Sequence, residues 1–161
     1  MRRHTIALWV AVLALCAGVP AYAGTHSHES RSQEAHSTSG VITLDRGRKW
    51  ATDEPLRRHM DTIRAVLDGK RGAIRAGALD AEARRRLGAA IEKEVAGIVA
   101  DCKLSPAADG NLHIVIADLV AAANILQDPA KGNSVRGAEQ AIRAANLYGA
   151  YFDHPGWKRL D

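Results

Sequence analysis

From Trp50 onward, apolar residues recur with the period of a helix. Leu56, Met60, Ile63, Leu67 and Ile74 fall three, four or seven positions apart, the spacing of one helical face. Asp53 stands where an N-cap is wanted, Glu54 and Pro55 fill the first turn, and Gly77 suits the left-handed position after a helix. A helix over 54–76 follows, with Gly69 and Gly72 as its weak points. Asp80 caps a second over 81–103, whose face is Leu87, Ile91, Val95, Ile98 and Cys102. Ser105-Pro106 opens a third over 106–127, with Leu112, Ile116, Leu119, Ala123 and Leu126 on one stripe and His113 and Val120 beside it. Asp128-Pro129 stops it. Ser134 caps a fourth over 135–152, which presents Ala138, Ala141, Ala145, Tyr148 and Phe152. The closing Asp153-His154-Pro155-Gly156-Trp157 reads as a turn folding back on the body. At 1.5 Å per residue these are rods of roughly 27–34 Å, joined by short connections. The expected fold is all-α, an up-down-up-down four-helix bundle.

The chain before Trp50 has another texture. Residues 24–48 are polar and lack periodicity, which predicts a disordered leader carrying His26, His28 and His36. Within it, Val41-Ile42-Thr43-Leu44 is long enough only for a short extended contact. Met1 to Ala23 reads as a cleaved secretory signal, with Arg2-Arg3, an apolar run from Ile6 to Val19 and an Ala21-Tyr22-Ala23 cleavage site. The run is too short to span a bilayer comfortably. Leu15 argues against lipidation at Cys16. The expected location is the periplasm, with a mature chain beginning at Gly24.

Composition adds limits. The 161 residues are 47% hydrophobic and 25% charged, with only 4% aromatic, an ordinary globular balance tilted toward helix. The formal charge is +4, and half of that excess is Arg2 and Arg3. No basic stripe with interleaved aromatics appears, so nucleic acid is not an expected partner. Loss of the signal leaves Cys102 alone, which excludes an internal disulfide.

The bundle topology gathers candidate chemistry at one end. Starts of the first and third helices share that end with finishes of the second and fourth, which brings Trp50, Met60, Cys102, His113, Tyr148, Tyr151 and His154 to it. Met60, Cys102 and His113, with His59 in reserve, make a soft ligand set that suits Cu(I). Cys102 at a helix end stands about a turn above His113, the geometric weakness of this set. The plain alternative is a packed Met, an inert buried Cys and a His with one hydrogen-bond partner. A mature N-terminus Gly24-Thr25-His26 would offer four nitrogens in a plane for Cu(II) or Ni(II). Non-covalent haem would need Met60 and His113 as axial ligands, and the Ala-rich helices pack too closely for a macrocycle. A Cys102–His113 nucleophilic pair lacks an orienting acid, and the di-iron Glu-x-x-His pattern is missing around Glu92 and Glu94. No enzymatic activity is expected. Arg84-Arg85-Arg86 reads as a solvated face, with partner or lipid contact as its alternative.

Three phrases also carry a resemblance. Lys49-Trp50-Ala51-Thr52-Asp53 with Pro55-Leu56-Arg57, Cys102-Lys103-Leu104 with Ala107-Ala108-Asp109 and Leu112-His113, and Tyr148 to Trp157 together resemble the exported proteobacterial DnrO-like proteins. Those proteins have no assigned activity to lend. The resemblance implies an exported bundle of the general shape of the four-helix cytochromes, without their haem-attachment residues. It also puts Met60, Cys102 and His113 first among site candidates. The expected function is a periplasmic bundle that handles or sequesters copper. Its competitors are a metal-free structural module docking a periplasmic partner and a haem carrier.

Overall fold

The computed structural model describes residues 40–161. It is all-α: α1 Glu54–Asp68, α2 Arg71–Arg75, α3 Ala81–Asp101, α4 Pro106–Gln127 and α5 Ser134–Tyr151, with a 3-10 turn at Pro129–Lys131. No strand occurs among the described residues, only isolated bridges at Asp45–Arg48 and Trp50–Phe152.

Side-chain caps set the helix starts. Asp53 accepts from the Leu56 N–H at 2.9 Å, Asp80 from Ala83 at 2.7 Å and Ser105 from Ala108 at 3.4 Å, each taking an amide that the helix cannot satisfy. The cap of α5 is Asn133, one residue before the expected Ser134; its side-chain oxygen receives both Val135 and Arg136.

The stretch expected as one helix over 54–76 is broken. The Gly69 and Lys70 amides turn back to Ala65 and Leu67, ending α1 before the short α2 resumes. Ile74 remains buried beyond the break, so the apolar spacing runs through it. Gly77, at φ +62°, then closes α2, with Gly77 N–H to Ile74 O and Ala78 N–H to Ala73 O, the double bond of a Schellman end. The second helix stops at Asp101, two residues before its expected limit, because Cys102 is extended.

The core is a continuous cluster of Leu, Ile, Val and Ala with Met60, Tyr148 and Phe152. α1 packs on α3 and α5, and α4 packs on the same two helices. Contacts are close where glycine allows it. A Cβ at Gly88 would stand 2.8 Å from the Ala123 carbonyl, and one at Gly137 2.9 Å from Ile125.

The segment 40–48, expected as part of a disordered leader, is ordered. Asp45 and Arg48 exchange backbone hydrogen bonds at 2.8 and 2.9 Å, with Arg46 and Gly47 both at positive φ between them. This is a hairpin-type turn. The Trp50 indole donates to Thr43 O at 2.6 Å, and Thr43 N–H donates to Asn111 on α4 at 2.8 Å. Trp50 also brackets the C-terminal chain through Tyr151 O and Asp153 N–H, each at 2.8 Å. Backbone pairing of this kind leaves no periodic signature in a sequence. The expected signal over 1–23 and the leader from 24 to 39 lie outside the described residues.

Candidate functional site

The structure puts Met60, Cys102 and His113 in three different surroundings. Met60 is fully buried in the core. Cys102, at the end of α3, is half-buried; burial pushes its thiol up to about 12, and the Asp53 and Asp101 carboxylates push in the same direction. A thiol held protonated is a poor ligand and a poor nucleophile. The His113 side chain is 64% exposed and turns to its own helix, with Nδ1 2.9 Å from Asp109 O and 3.4 Å from the Asp109 carboxylate. One residue faces the core and another faces water, so Met60 and His113 do not share a face. The haem pair Met60 and His113 is separated in the same way. Reserve His59 has both ring nitrogens engaged, Nδ1 with Glu94 at 2.8 Å and Nε2 with Asp101 at 3.2 Å. Among the described residues no group of three or more His, Cys, Asp or Glu is arranged to hold a metal ion. Gly24, Thr25 and His26 lie outside the described residues.

The same end holds a different constellation. Tyr148 in the last turn of α5 and Phe152 just past its end stack at 5.2 Å. The chain then turns so that His154, only 8% exposed, lies against Tyr148. Tyr148 Oη is 3.0 Å from His154 Nδ1, and His154 Nε2 is 3.3 Å from the Asp61 carboxylate on α1. Burial raises the Tyr148 phenol far above its ordinary range, so it is neutral and donates. Burial also lowers His154 against the opposing pull of Asp61. The neutral ring therefore accepts at Nδ1 and donates its Nε2–H to Asp61.

Trp157 completes the group, edge-on to Tyr148 at 4.9 Å, with its indole nitrogen over Gly149, where any side chain would collide. That nitrogen is buried without a hydrogen-bond partner among the described residues. Above His154 an open hollow of about 710 Å³ is bounded by Glu54, Arg57, Arg58, Asp61, Thr62 and Pro155. Arg57 and Arg58 are already engaged with Thr52 and Glu54. Tyr148, His154 and Asp61 thus make a hydrogen-bonded chain that runs from the core to the surface. They fasten the C-terminal segment to α1. The sequence shows His154 as part of a turn, but Asp61 is indistinguishable there from any solvated acid.

The outer surface of α4 is the other exceptional region. Exposed positions on α1 include Glu54, Arg58, Asp61 and Asp68; on α3, Glu82, Arg85, Arg86, Glu92 and Lys93; on α5, Arg136, Glu139 and Arg143. Beyond Asp109 the exposed positions of α4 are Gly110, His113, Ala117, Val120, Ala121 and Asn124. None is a Lys, Arg, Asp or Glu. By length and composition α4 is long and apolar enough to cross a membrane. Its opposite stripe, Leu112, Val115, Leu119, Ala122, Ala123 and Leu126, is buried in the core.

Comparisons with protein-family models, with curated proteins and with solved structures found no match to this chain.

Proposed function

We infer that the protein is a non-enzymatic interaction module, an exported up-down-up-down four-helix bundle that docks a helix against the outer face of α4. Opposed pairs along neighbouring helices support the topology: Asp53 meets Lys103 and His59 meets Glu94 between α1 and α3; Gly88 meets Leu126 between α3 and α4; Asp118 meets Gln140 between α4 and α5. The first three pairs set a residue early in one helix, or just before it, beside one late in the next, and Asp118, past the middle of α4, stands beside Gln140 in the first half of α5.

The uncharged face of α4 carries the functional reading. Gly110, His113, Ala117, Val120 and Asn124 are spaced three, four, three and four apart, the seam of a coiled-coil partner. Charged side chains keep exposed helix faces apart, and beyond Asp109 the exposed positions of this one have none. The seam also complements itself. A two-fold axis between Ala117 and Val120 sets Ala117 against Val120 of a second copy, small against large, and His113 against Asn124, polar against polar. An isologous pair of this kind is the commonest oligomer interface. Copper handling through Met60, Cys102 and His113 has no comparable support, since Met60 is buried, the Cys102 thiol is held protonated and His113 is exposed.

Sedimentation of the exported chain tests the reading. A dimer is expected, and Ala117→Glu on the exposed seam converts it to a monomer with unchanged helix content. A chain that stays monomeric at every concentration, or a dimer indifferent to Ala117→Glu, overturns it.

A further inference from the structure

α1 and α3 are tightly apposed at one end and part at the other. At Gly97 a Cβ would collide with the His59 ring. Toward the end of α1, where the helix breaks at Gly69, a groove of about 350 Å³ opens between the two helices. Val66, Gly69 and Lys70 line one side, and Ala83, Arg86, Leu87 and Ala90 the other.

The α3 residues fall on one face, and the trough from Ala83 to Ala90 runs about 10 Å along the helix axis. Its floor is apolar, and Leu87 there is almost wholly buried. Its only charged lining groups are Lys70 and Arg86, both positive. Neighbouring cations are matched elsewhere, Arg71 by Asp68 and Arg85 by Glu82. Arg86 touches Glu82 only at 3.5 Å with its side chain 73% exposed. Lys70 has no carboxylate within ion-pair distance among the described residues, and the acid whose charge it shares with Arg86 is Asp80, the cap of α3. The volume lies at the lower end of the range of ligand pockets, which are apolar with a few placed polar groups.

We propose that this groove binds a single-chain amphiphilic anion, its acyl chain lying on Val66, Ala83, Leu87 and Ala90 and its head group between Lys70 and Arg86. The trough accommodates roughly eight methylenes, from its length along the helix. The site is independent of the α4 seam, on the opposite flank of α3.

Calorimetric titration of the exported chain with octanoate, decanoate and tetradecanoate, each below its micelle concentration, tests the proposal. Saturable one-to-one binding is expected, tightening up to about fourfold per methylene as apolar area is covered and levelling off once the chain outruns the trough. Lys70→Ala with Arg86→Ala, both at exposed positions, weakens decanoate binding at least about tenfold. This corresponds to the loss of charge-assisted contacts. Ala90→Phe fills the trough and abolishes binding while the thermal transition is retained. Unsaturable uptake, equal binding of decyltrimethylammonium, or indifference to the Lys70/Arg86 double variant overturns it. So does binding confined to phosphatidylglycerol vesicles, because a single-chain site must take the free anion.

Discussion

Asp53 joins the start of α1 to the end of α3 through one carboxylate. Oδ1 accepts from the Leu56 N–H at 2.9 Å, and Oδ2 accepts from the Lys103 N–H at 2.6 Å. A residue that ordinarily caps one helix therefore also receives the chain leaving another. Asp53→Ala removes both acceptors and is expected to cost about 1–3 kcal/mol, a lost cap plus a lost charge-assisted bond. Ser105→Ala, whose hydroxyl takes one amide at 3.4 Å, should cost less, about 1 kcal/mol. Urea unfolding of the two variants measures the difference; equal losses would refute the double role.

His154 makes stability depend on pH. Its folded form resists protonation because it is buried, and Asp61 offsets that only in part. With the folded value below the ordinary 6.5, the unfolded chain binds more protons between the two. Stability therefore falls as pH drops through the ordinary histidine range and recovers above it. His154→Gln should flatten that dependence between about pH 7 and 5, at a cost in stability at neutral pH. Tyr148→Phe leaves Nδ1 without its donor and is expected to cost about 1–3 kcal/mol. Denaturant midpoints at several pH values supply the test. A His154→Gln profile parallel to the parent profile would show that another group governs the pH dependence.

Helix starts were legible because caps act locally: Asp53, Asp80 and Ser105 each meet an amide three residues ahead. Asn133 and Ser134 are adjacent capping types, and only the bifurcated reach of the Asn133 oxygen decides between them. The break at Gly69 was hidden because Ile74, seven residues after Leu67, returns to the same buried face. Sequence also placed Met60, Cys102 and His113 at one end without fixing helix rotation. Rotation turns Met60 inward and His113 outward. The Tyr148–His154–Asp61 chain joins residues on different elements, and nothing local in α1 marks Asp61 as its end.

Two glycines on helices predict opposite outcomes for the same change. At Gly97 a Cβ would collide with His59 Cε1, so Gly97→Ala must displace the ring and its contacts with Glu94 and Asp101. That strain outweighs the helix propensity gained, for an expected loss of about 1–3 kcal/mol. At Gly110 a Cβ meets nothing within 4 Å, and Gly110→Ala should stabilise by up to about 1 kcal/mol. Thermal melts of the single variants decide it. A stabilising Gly97→Ala would mean that His59 is not held against α3.

Cys102 provides the sharpest separation of metal handling from docking. Its thiol is pushed up to about 12, chiefly by burial and then by the Asp53 and Asp101 carboxylates. The thiolate fraction at neutral pH is thus far below that of an ordinary cysteine near 8.5. Alkylation by iodoacetamide at pH 8 should run at least tenfold slower than for the chain unfolded in urea. Asp53→Asn, which removes one of the two neighbouring negative charges, should accelerate it. Cu(I) competition with a chromophoric chelator should be indifferent to Cys102→Ser, because the thiol is held protonated and His113 turns outward to Asp109. Tight Cu(I) binding that vanishes with Cys102→Ser would require Met60 and His113 to rearrange toward the end of α3, and would return the protein to copper handling.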